Sequence, residues 1–297
     1  GGSGSLEDPY RIGDVYGLQG MRLSESLRAC HFIQIRDIDA SITRNWNNGI
    51  GFIPIGAGSG PFNGRFDGKG FSIGHLYINL PLSEGPVGFF SHTGSTSLIT
   101  DVHLETMKVV GGSQAGGLVG RSLGTVSGCS VVGKVYGGGF AFTGAFILIV
   151  NEQMLNLQSF TGGLVGFQEG GRVENCYANT EIKGLTNSGG LIGTATAAVI
   201  TNCRSRGLVY GNTLVGGFLG MSMESLLERC ESRAAVHGNT ATGGLVGYIF
   251  GGKAYRCVAT GKVAGYSMVG GLMGMLQGEV AESWCSGSVQ GSFDTGG

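Results

Sequence analysis

The sequence is poor in proline, in charge and in long apolar runs. Five prolines among 297 residues, set against sixty glycines, exclude a collagen-type helix, which needs abundant proline and a Gly-X-Y period. A flexible linker is excluded as well, because 41% of the residues are hydrophobic. Charged residues make up only 13%, with 19 basic against 20 acidic, so no overall field points to nucleic acid or to an anionic membrane surface. The longest apolar run, at 145–150 with Phe140 and Phe142 just before it, is too short to span a bilayer. No signal peptide opens the chain, and residues 1–5 read as a linker or an expression scar, so the chain is treated as an excerpt and no address is taken from its start. Seven cysteines is an odd number, so at least one has no partner within the chain.

What is present is a repeat. Gly-Gly pairs end at Gly117, Gly163, Gly190, Gly217, Gly244 and Gly271, at intervals of 46, 27, 27, 27 and 27. Cysteines at 129, 176, 203, 230 and 257 follow intervals of 47, 27, 27 and 27. Three before each cysteine stand Val126, Val173, Ile200, Leu227 and Ala254; six after stand Val135, Ile182, Val209, Val236 and Val263; eight after stands a glycine. The unit is therefore G-G-L-V-G, a variable turn, V-x-x-C and V-x-G. Recurrent glycine with alternating β-branched residues suits strands rather than a helix.

A 27-residue period with about three short strands is one turn of a parallel β-helix. Leucine-rich repeats need an L-x-x-L-x-L frame that is absent, and propeller blades need a longer period. On this reading glycines mark the corners, and the Val, Leu and Cys columns fill the interior. The ends of the series degrade. In the last unit Ser283 takes the cysteine column, Trp284 falls beside Tyr177, and Cys285 stands apart. At the other end Gly88 replaces the second glycine, Val102 takes the cysteine column with Ile99 three before it, and Leu76 with Ile73 fits one rung earlier. The expected fold is thus all-β, a right-handed parallel β-helix of about eight rungs, some 35–40 Å long at about 4.8 Å per rung.

Residues 10–61 are expected to cap the first rung and residues 62–297 to form the solenoid, with residues 1–9 as linker. Val15, Leu18, Met21, Leu23 and Leu27 suggest a short helix starting near Asp14, and Cys30 onward alternates as a strand up to Asp39. The interval of 46 marks an interruption at 138–161, a lateral excursion from one corner. It contains Phe140, Phe142, Phe146, Ile147, Ile149, Met154 and Leu155, the candidate interaction surface, which either packs along the flank or meets another chain.

Gly116-Gly117-Leu118-Val119-Gly120 and the units at 162–166 and 243–247, each leading to a segment such as Val173-Glu174-Asn175-Cys176-Tyr177-Ala178, resemble the GLUG repeat. Tyr10-Arg11-Ile12, Ile38-Asp39, Ile53-Pro54-Ile55-Gly56 and Phe66-Asp67-Gly68-Lys69-Gly70 are similar to the entry module of the same proteins. The resemblance covers nearly the whole chain except 138–161. It implies a β-helix of large secreted or surface-anchored bacterial proteins, including adhesins and the non-catalytic regions of IgA-cleaving peptidases, and so an extracellular or cell-surface location.

As chemistry the residues are sparse. Cys129, Cys176, Cys203, Cys230 and Cys257 lack the local C-x-x-C clustering of zinc sites, and their stacking in adjacent rungs is read as buried free thiols acting as small hydrophobes rather than as disulfides. Glu174 and Glu228 lie two rungs apart with Thr201 between them, about 9.6 Å, wider than the carboxylate pairs of glycosidases; Asp101, Glu224 and Glu231 read with them as a solvated face. Asp67 reads as an Asx turn rather than a calcium ligand. The five histidines form no H-E-x-x-H, no Gly-rich stretch ends as a P-loop, and G-G-x-G-x-D repeats are missing. Thr186, Thr213 and Thr242 do not share the register that an ice-binding face needs. No catalytic residue, metal or cofactor is expected. The expected partners are a protein or glycan on another surface, or neighbouring domains or copies of the same large protein, with no nucleic acid and no membrane insertion. The expected role is a stiff, non-enzymatic stalk or adhesive scaffold. A carbohydrate-active enzyme, with its groove beside Glu174 and Glu228, is the alternative, and a polymer-forming module is a further one, because residues 292–297 show no cap.

Overall fold

The computed structural model describes the chain except residues 59, 139, 144–145, 150–158 and 297, and describes no side chains across 139–158. Its strands stack in parallel into three long sheets of 15, 13 and 8 strands. The smallest displays the repeat most plainly: Pro86–Val87, Gln114–Gly116, Phe160–Gly162, Thr186–Gly189, Thr213–Gly216, Thr240–Gly243, Ser267–Gly270 and Phe293–Gly296 succeed one another as one strand per rung. Eight rungs at about 4.8 Å make a solenoid about 34 Å long. Very little of the chain is helical.

One rung illustrates the path. Thr186–Gly189 lies on the smallest sheet, Ile192–Thr196 and Val199–Thr201 on the largest, and Arg204–Tyr210 on the third. Hydrogen bonds run to the neighbours above and below: the Leu164 amide donates to the Leu191 carbonyl at 2.8 Å, and the Leu191 amide to that of Phe218 at 2.9 Å. The register equates Val126, Val173, Ile200, Leu227 and Ala254, and also Val135, Ile182, Val209, Val236 and Val263. All ten are buried. Leu118, Leu164, Leu191, Phe218 and Leu245 form a third buried column. Each such side chain removed from water contributes about 1.5–3 kcal/mol, which makes the stacked columns the main cohesive element.

The glycine pairs mark a corner, the bend from the smallest sheet to the largest, but not a left-handed one. None of Gly189, Gly190, Gly216 or Gly217 has positive φ. They are glycine because backbones meet there: a Cβ on Gly189 would lie 1.9 Å from the Ile192 carbonyl oxygen, and one on Gly190 2.1 Å from that of Gly217. The left-handed corners fall elsewhere and are mostly not glycine. Asn175, Asn202, Arg229, Arg256 and Glu282, each just before the cysteine column or its serine equivalent, have φ between 48° and 54°. Asparagine tolerates that region well, arginine and glutamate less so.

At the N-terminal end Tyr10–Ile12, His31–Gln34, Arg65–Asp67 and Leu98–Thr100 pair in parallel and extend the largest sheet. Helix Val15–Gly20 is capped by Asp14, whose carboxylate accepts from the Gly17 amide at 2.7 Å, and buries Val15 and Leu18. A phenylalanine cluster fills the interior behind it, with Phe62–Phe90 centroids 4.8 Å apart and Phe89–Phe90 4.9 Å apart. The early register differs from expectation. Phe66, not Ile73, pairs with Ile99, while Ile73 pairs with Leu104. The turn through Lys69 and Gly70, both at positive φ, holds two residues more than the corresponding corner after Ile99, and this shifts everything beyond it. Gly88 follows Val87, the partner of Ala115, and so lies opposite Gly116, the first glycine of its pair rather than the second. Threonines also stack: Thr186, Thr213 and Thr240, followed by Ser267, share one half-buried column, whereas Thr242 belongs to the neighbouring buried one.

Candidate functional site

The corner where the period fails is held tightly on both sides. The Gly138 amide donates to the Gly112 carbonyl at 2.7 Å just before the insertion leaves, and the Phe160 amide donates to that of Ser113 at 2.8 Å just after it returns. The Ser159 amide donates to Thr186 Oγ1 at 2.8 Å, and the Thr186 amide to Ser159 Oγ at 3.0 Å. Gln114 still pairs with Phe160, and Tyr136 with Lys183, so the ladder runs past the insertion without a slip. A cavity of about 250 Å³ lies at its root, lined by Ser83, Glu84, Gly112, Ser113, Gly138, Ser159 and Leu185.

Within the insertion Phe140–Thr143 and Phe146–Ile149 pair antiparallel, apart from the solenoid sheets. This places Phe140 and Phe142 on one strand and Phe146, Ile147 and Ile149 on the other. The side chains of these five lie outside the described residues, as do Met154 and Leu155 altogether.

Beside the root, Glu181 accepts from the Tyr136 hydroxyl at 3.0 Å and pairs with Lys134 at 3.0 Å and Lys183 at 3.2 Å. Burial alone would raise the Glu181 pKa, but the donors from Lys134, Tyr136 and Lys183 together hold it below the ordinary carboxylate value. Burial, then the Glu181 carboxylate, pushes the Tyr136 hydroxyl the other way, well above the usual phenol. The network knits neighbouring rungs on the outer face, and sequence reasoning missed it. Its signal is columnar: K-x-Y at Lys134 and Tyr136 stands directly opposite E-x-K at Glu181 and Lys183.

The five stacked cysteines are buried and free, none joined in a disulfide. Each thiol lies within hydrogen-bond reach of the carbonyl two residues before it, across the left-handed corner: Cys176 to Glu174 at 3.2 Å, Cys203 to Thr201 at 3.2 Å, Cys257 to Tyr255 at 3.3 Å. Ser283 repeats the bond to Ala281 at 2.8 Å, which explains why serine stands in for cysteine in the last unit. From Cys129 to Ser283 the column thus carries a small side chain with a donor, while Val102, buried one rung earlier, shows that a small hydrophobe also fits. Burial pushes the thiols of Cys129, Cys203 and Cys230 well above their ordinary pKa, whereas hydrogen bonds from neighbouring thiols and backbone hold Cys176 and Cys257 below theirs; what protects all five is that their sulfurs are shut away from solvent and from any reagent. A thiol reagent on the native protein is therefore expected to react quickly with at most two groups, the half-exposed Cys30 and Cys285, and with all seven only after unfolding. Rapid reaction of five or more in the native state would contradict the buried column.

The carboxylate candidates do not converge. Glu174, Thr201 and Glu228 occupy one column in successive rungs, and Glu228 is paired with Arg229 at 3.2 Å. Glu231 is held between Arg204 and Arg233. Asp67 accepts from the Lys69 amide at 2.8 Å, closing its own turn. Among the described residues no group of three His, Cys, Asp or Glu side chains is placed to hold a metal ion. The histidines are scattered, His237 stacking on Tyr210 with centroids 5.0 Å apart.

The family model described as the GLUG motif matches residues 161–183, which in the structure is one full rung from Phe160–Gly162 through Tyr177–Lys183. This is a GLUG-repeat β-helical region. The chain is 36% identical over 142 residues to "Halomucin" of Haloquadratum walsbyi, covering 46% of this chain and 2% of that protein. It is 31% identical over 137 residues to a provisionally named Gly-rich membrane protein of Evansella cellulosilytica, covering 44% of this chain and 15% of that one. The GLUG region thus spans a small part of the length of these curated relatives. A crystal structure of a protein provisionally assigned as an immunoglobulin A1 protease, from Bacteroides ovatus, superposes with a TM-score of 0.64 at 18% identity, over 98% of this chain and 85% of that one. At that identity the likeness concerns the fold alone. The GLUG region is a structural β-helix module.

Proposed function

We propose that this GLUG-repeat region is a rigid, non-catalytic spacer in a protein displayed outside the cell, and that the hairpin at 140–149 is what it presents to a partner. The observation that carries the reading is the register at the insertion: about twenty surplus residues leave one corner while the rungs on either side stay paired residue for residue. A scaffold that displays a loop needs that property, since a slip of one residue would turn the core columns outward. The dispersal and ion pairing of the carboxylates favour a scaffold over a polysaccharide-cleaving enzyme. The names of the relatives, a halomucin and a Gly-rich membrane protein, support a surface setting. Among the described residues no helix is long and apolar enough to cross a membrane.

Rigidity is directly measurable. Leu98, Thr125, Arg172, Val199, Leu226 and Lys253 stack in one outer column, so Leu98 and Lys253 stand five rungs apart, about 24 Å. Spin labels at Leu98→Cys and Lys253→Cys, in a Cys30→Ser and Cys285→Ser background, are expected to give one narrow distance distribution near that separation plus the label length. A broad or multimodal distribution would refute the spacer reading.

A further inference from the structure

The N-terminal end carries a groove that the solenoid does not need. It lies between helix Val15–Gly20 and the short 3₁₀ turns Ser41–Asn45 and Asn47–Gly49, with a volume of about 510 Å³, and is lined by Tyr16, Gln19, Arg22, Asn45, Trp46, Asn47 and Ile53. That volume is in the range of small-molecule sites. Two aromatic rings form its platform: Tyr16 and Trp46, centroids 5.4 Å apart and planes tilted by 36°. Trp46 is anchored, half-buried against the core, while Tyr16 rests on it and is itself 64% exposed.

The polar groups around the platform are of one kind, neutral amides and a guanidinium. Gln19 spends both ends of its amide on the Ile53 backbone, donating to its carbonyl at 2.9 Å and accepting from its amide at 3.0 Å, and so fixes the spacing between helix and loop. Asn47 and Asn48 adopt left-handed backbone conformations, and Asn47 donates to the Gly51 carbonyl at 2.7 Å; this turn holds Asn45 and Trp46 on the rim. Asn45 makes no side-chain hydrogen bond among the described residues. The Arg22 Nε is buried without a partner, and a buried donor left unpaired costs about 1–3 kcal/mol. A preformed, aromatic-floored groove with unspent donors calls for a ligand that has one apolar face and a rim of hydroxyls.

We infer that this groove binds a pyranose ring of a glycan. The C–H face of the sugar lies on Tyr16 and Trp46, where the electron-rich ring faces favour it, and its hydroxyls take the free amide of Asn45 and the guanidinium of Arg22. A peptide side chain would match the aromatic floor but not the free Asn45 amide and Arg22 guanidinium on the rim, and a cationic ligand would be repelled by Arg22. The site is independent of the hairpin at 140–149 and of the spacer reading.

The test uses the whole chain with Trp284→Phe, which leaves Trp46 as the sole tryptophan. Affinity electrophoresis in gels containing β-glucan, xylan, mannan, galactan, polygalacturonate or hyaluronan is expected to retard the protein with at least one polymer. Oligosaccharides of that polymer should then change Trp46 fluorescence on titration. Tyr16→Ala and Asn45→Ala, both surface changes that leave the fold intact, should each weaken that binding at least tenfold, while circular dichroism and the melting temperature stay unchanged. Retardation by none of the neutral or charged polymers, or binding by Tyr16→Ala within twofold of the parent, overturns the assignment.

Discussion

Gly190→Ala is expected to destabilise the protein by about 3 kcal/mol, an effect out of proportion to one methyl group. The added Cβ would stand 2.1 Å from the Gly217 carbonyl oxygen and 3.2 Å from the Cβ of Ser205. Neither neighbour is free to give way. The Gly217 carbonyl belongs to the next rung's backbone, which is held by the Phe218 amide bond to Leu245 at 2.9 Å, and Ser205 is fully buried. Relief therefore requires two rungs to separate, and separation breaks the ladder on both sides. Gly74→Ala is the matched control: no heavy atom lies within 4 Å of the place its methyl group would take, and its cost should stay within about 0.5 kcal/mol. Chemical unfolding midpoints decide the matter, and equal losses in the two variants would show that the glycine pair is not a close approach between rungs. Hydrogen exchange should further localise the damage to the rungs around Gly190, because each rung contacts only its neighbours.

The same nearest-neighbour logic explains what is legible in the sequence. Anything repeated in register can be read, because stacking equates residues 27 apart. Cys176, Cys203 and Cys230, with Val173, Ile200 and Leu227 before them, declare an interior column, and the 46-residue interval locates the insertion before any strand is drawn. Ser283 can be placed in the cysteine column by counting back from Val289, and the ladder puts it there, with Trp284 opposite Val258.

What is not legible depends on local backbone conformation or on residues outside the repeat. The corners are left-handed at Asn202, Arg229 and Glu282, and no common residue type announces a positive φ shared by an amide, a cation and an acid. Glycine does mark the bend between the smallest and largest sheets, but it stands there for backbone proximity and not for a positive φ. Counting places Ile73 one strand away from its true position, because two surplus residues at Lys69 and Gly70 look like any other turn. The Tyr136–Glu181 network spans units separated by the insertion, so its members are 45 residues apart in sequence and adjacent only once the ladder closes. The groove at Tyr16 and Trp46 joins two segments that belong to no repeat at all.

The second large effect concerns the period itself. Excision of residues 190–216 removes 27 residues and joins Gly189 directly to Gly217, restoring the glycine pair. Every column then closes over the gap with a like partner: Val165 meets Leu219, Val173 meets Leu227, Cys176 meets Cys230 and Ile182 meets Val236, each pair two rungs apart in the intact chain. One rung and one interface are lost, and the remaining interfaces are of the kind already present. Excision of only residues 190–203 removes half that length, sets Arg204 where Gly190 stood, and turns the buried columns beyond it out of register.

The paired deletions therefore test the solenoid most directly, with circular dichroism for folding and small-angle X-ray scattering for length. The 27-residue deletion is expected to keep a cooperative β-sheet fold with a long axis shorter by about 4.8 Å, while the half-length deletion loses ordered structure beyond the cut. If the full-unit deletion proves as destructive as the half-unit one, the 27-residue rung is not the structural unit of this protein.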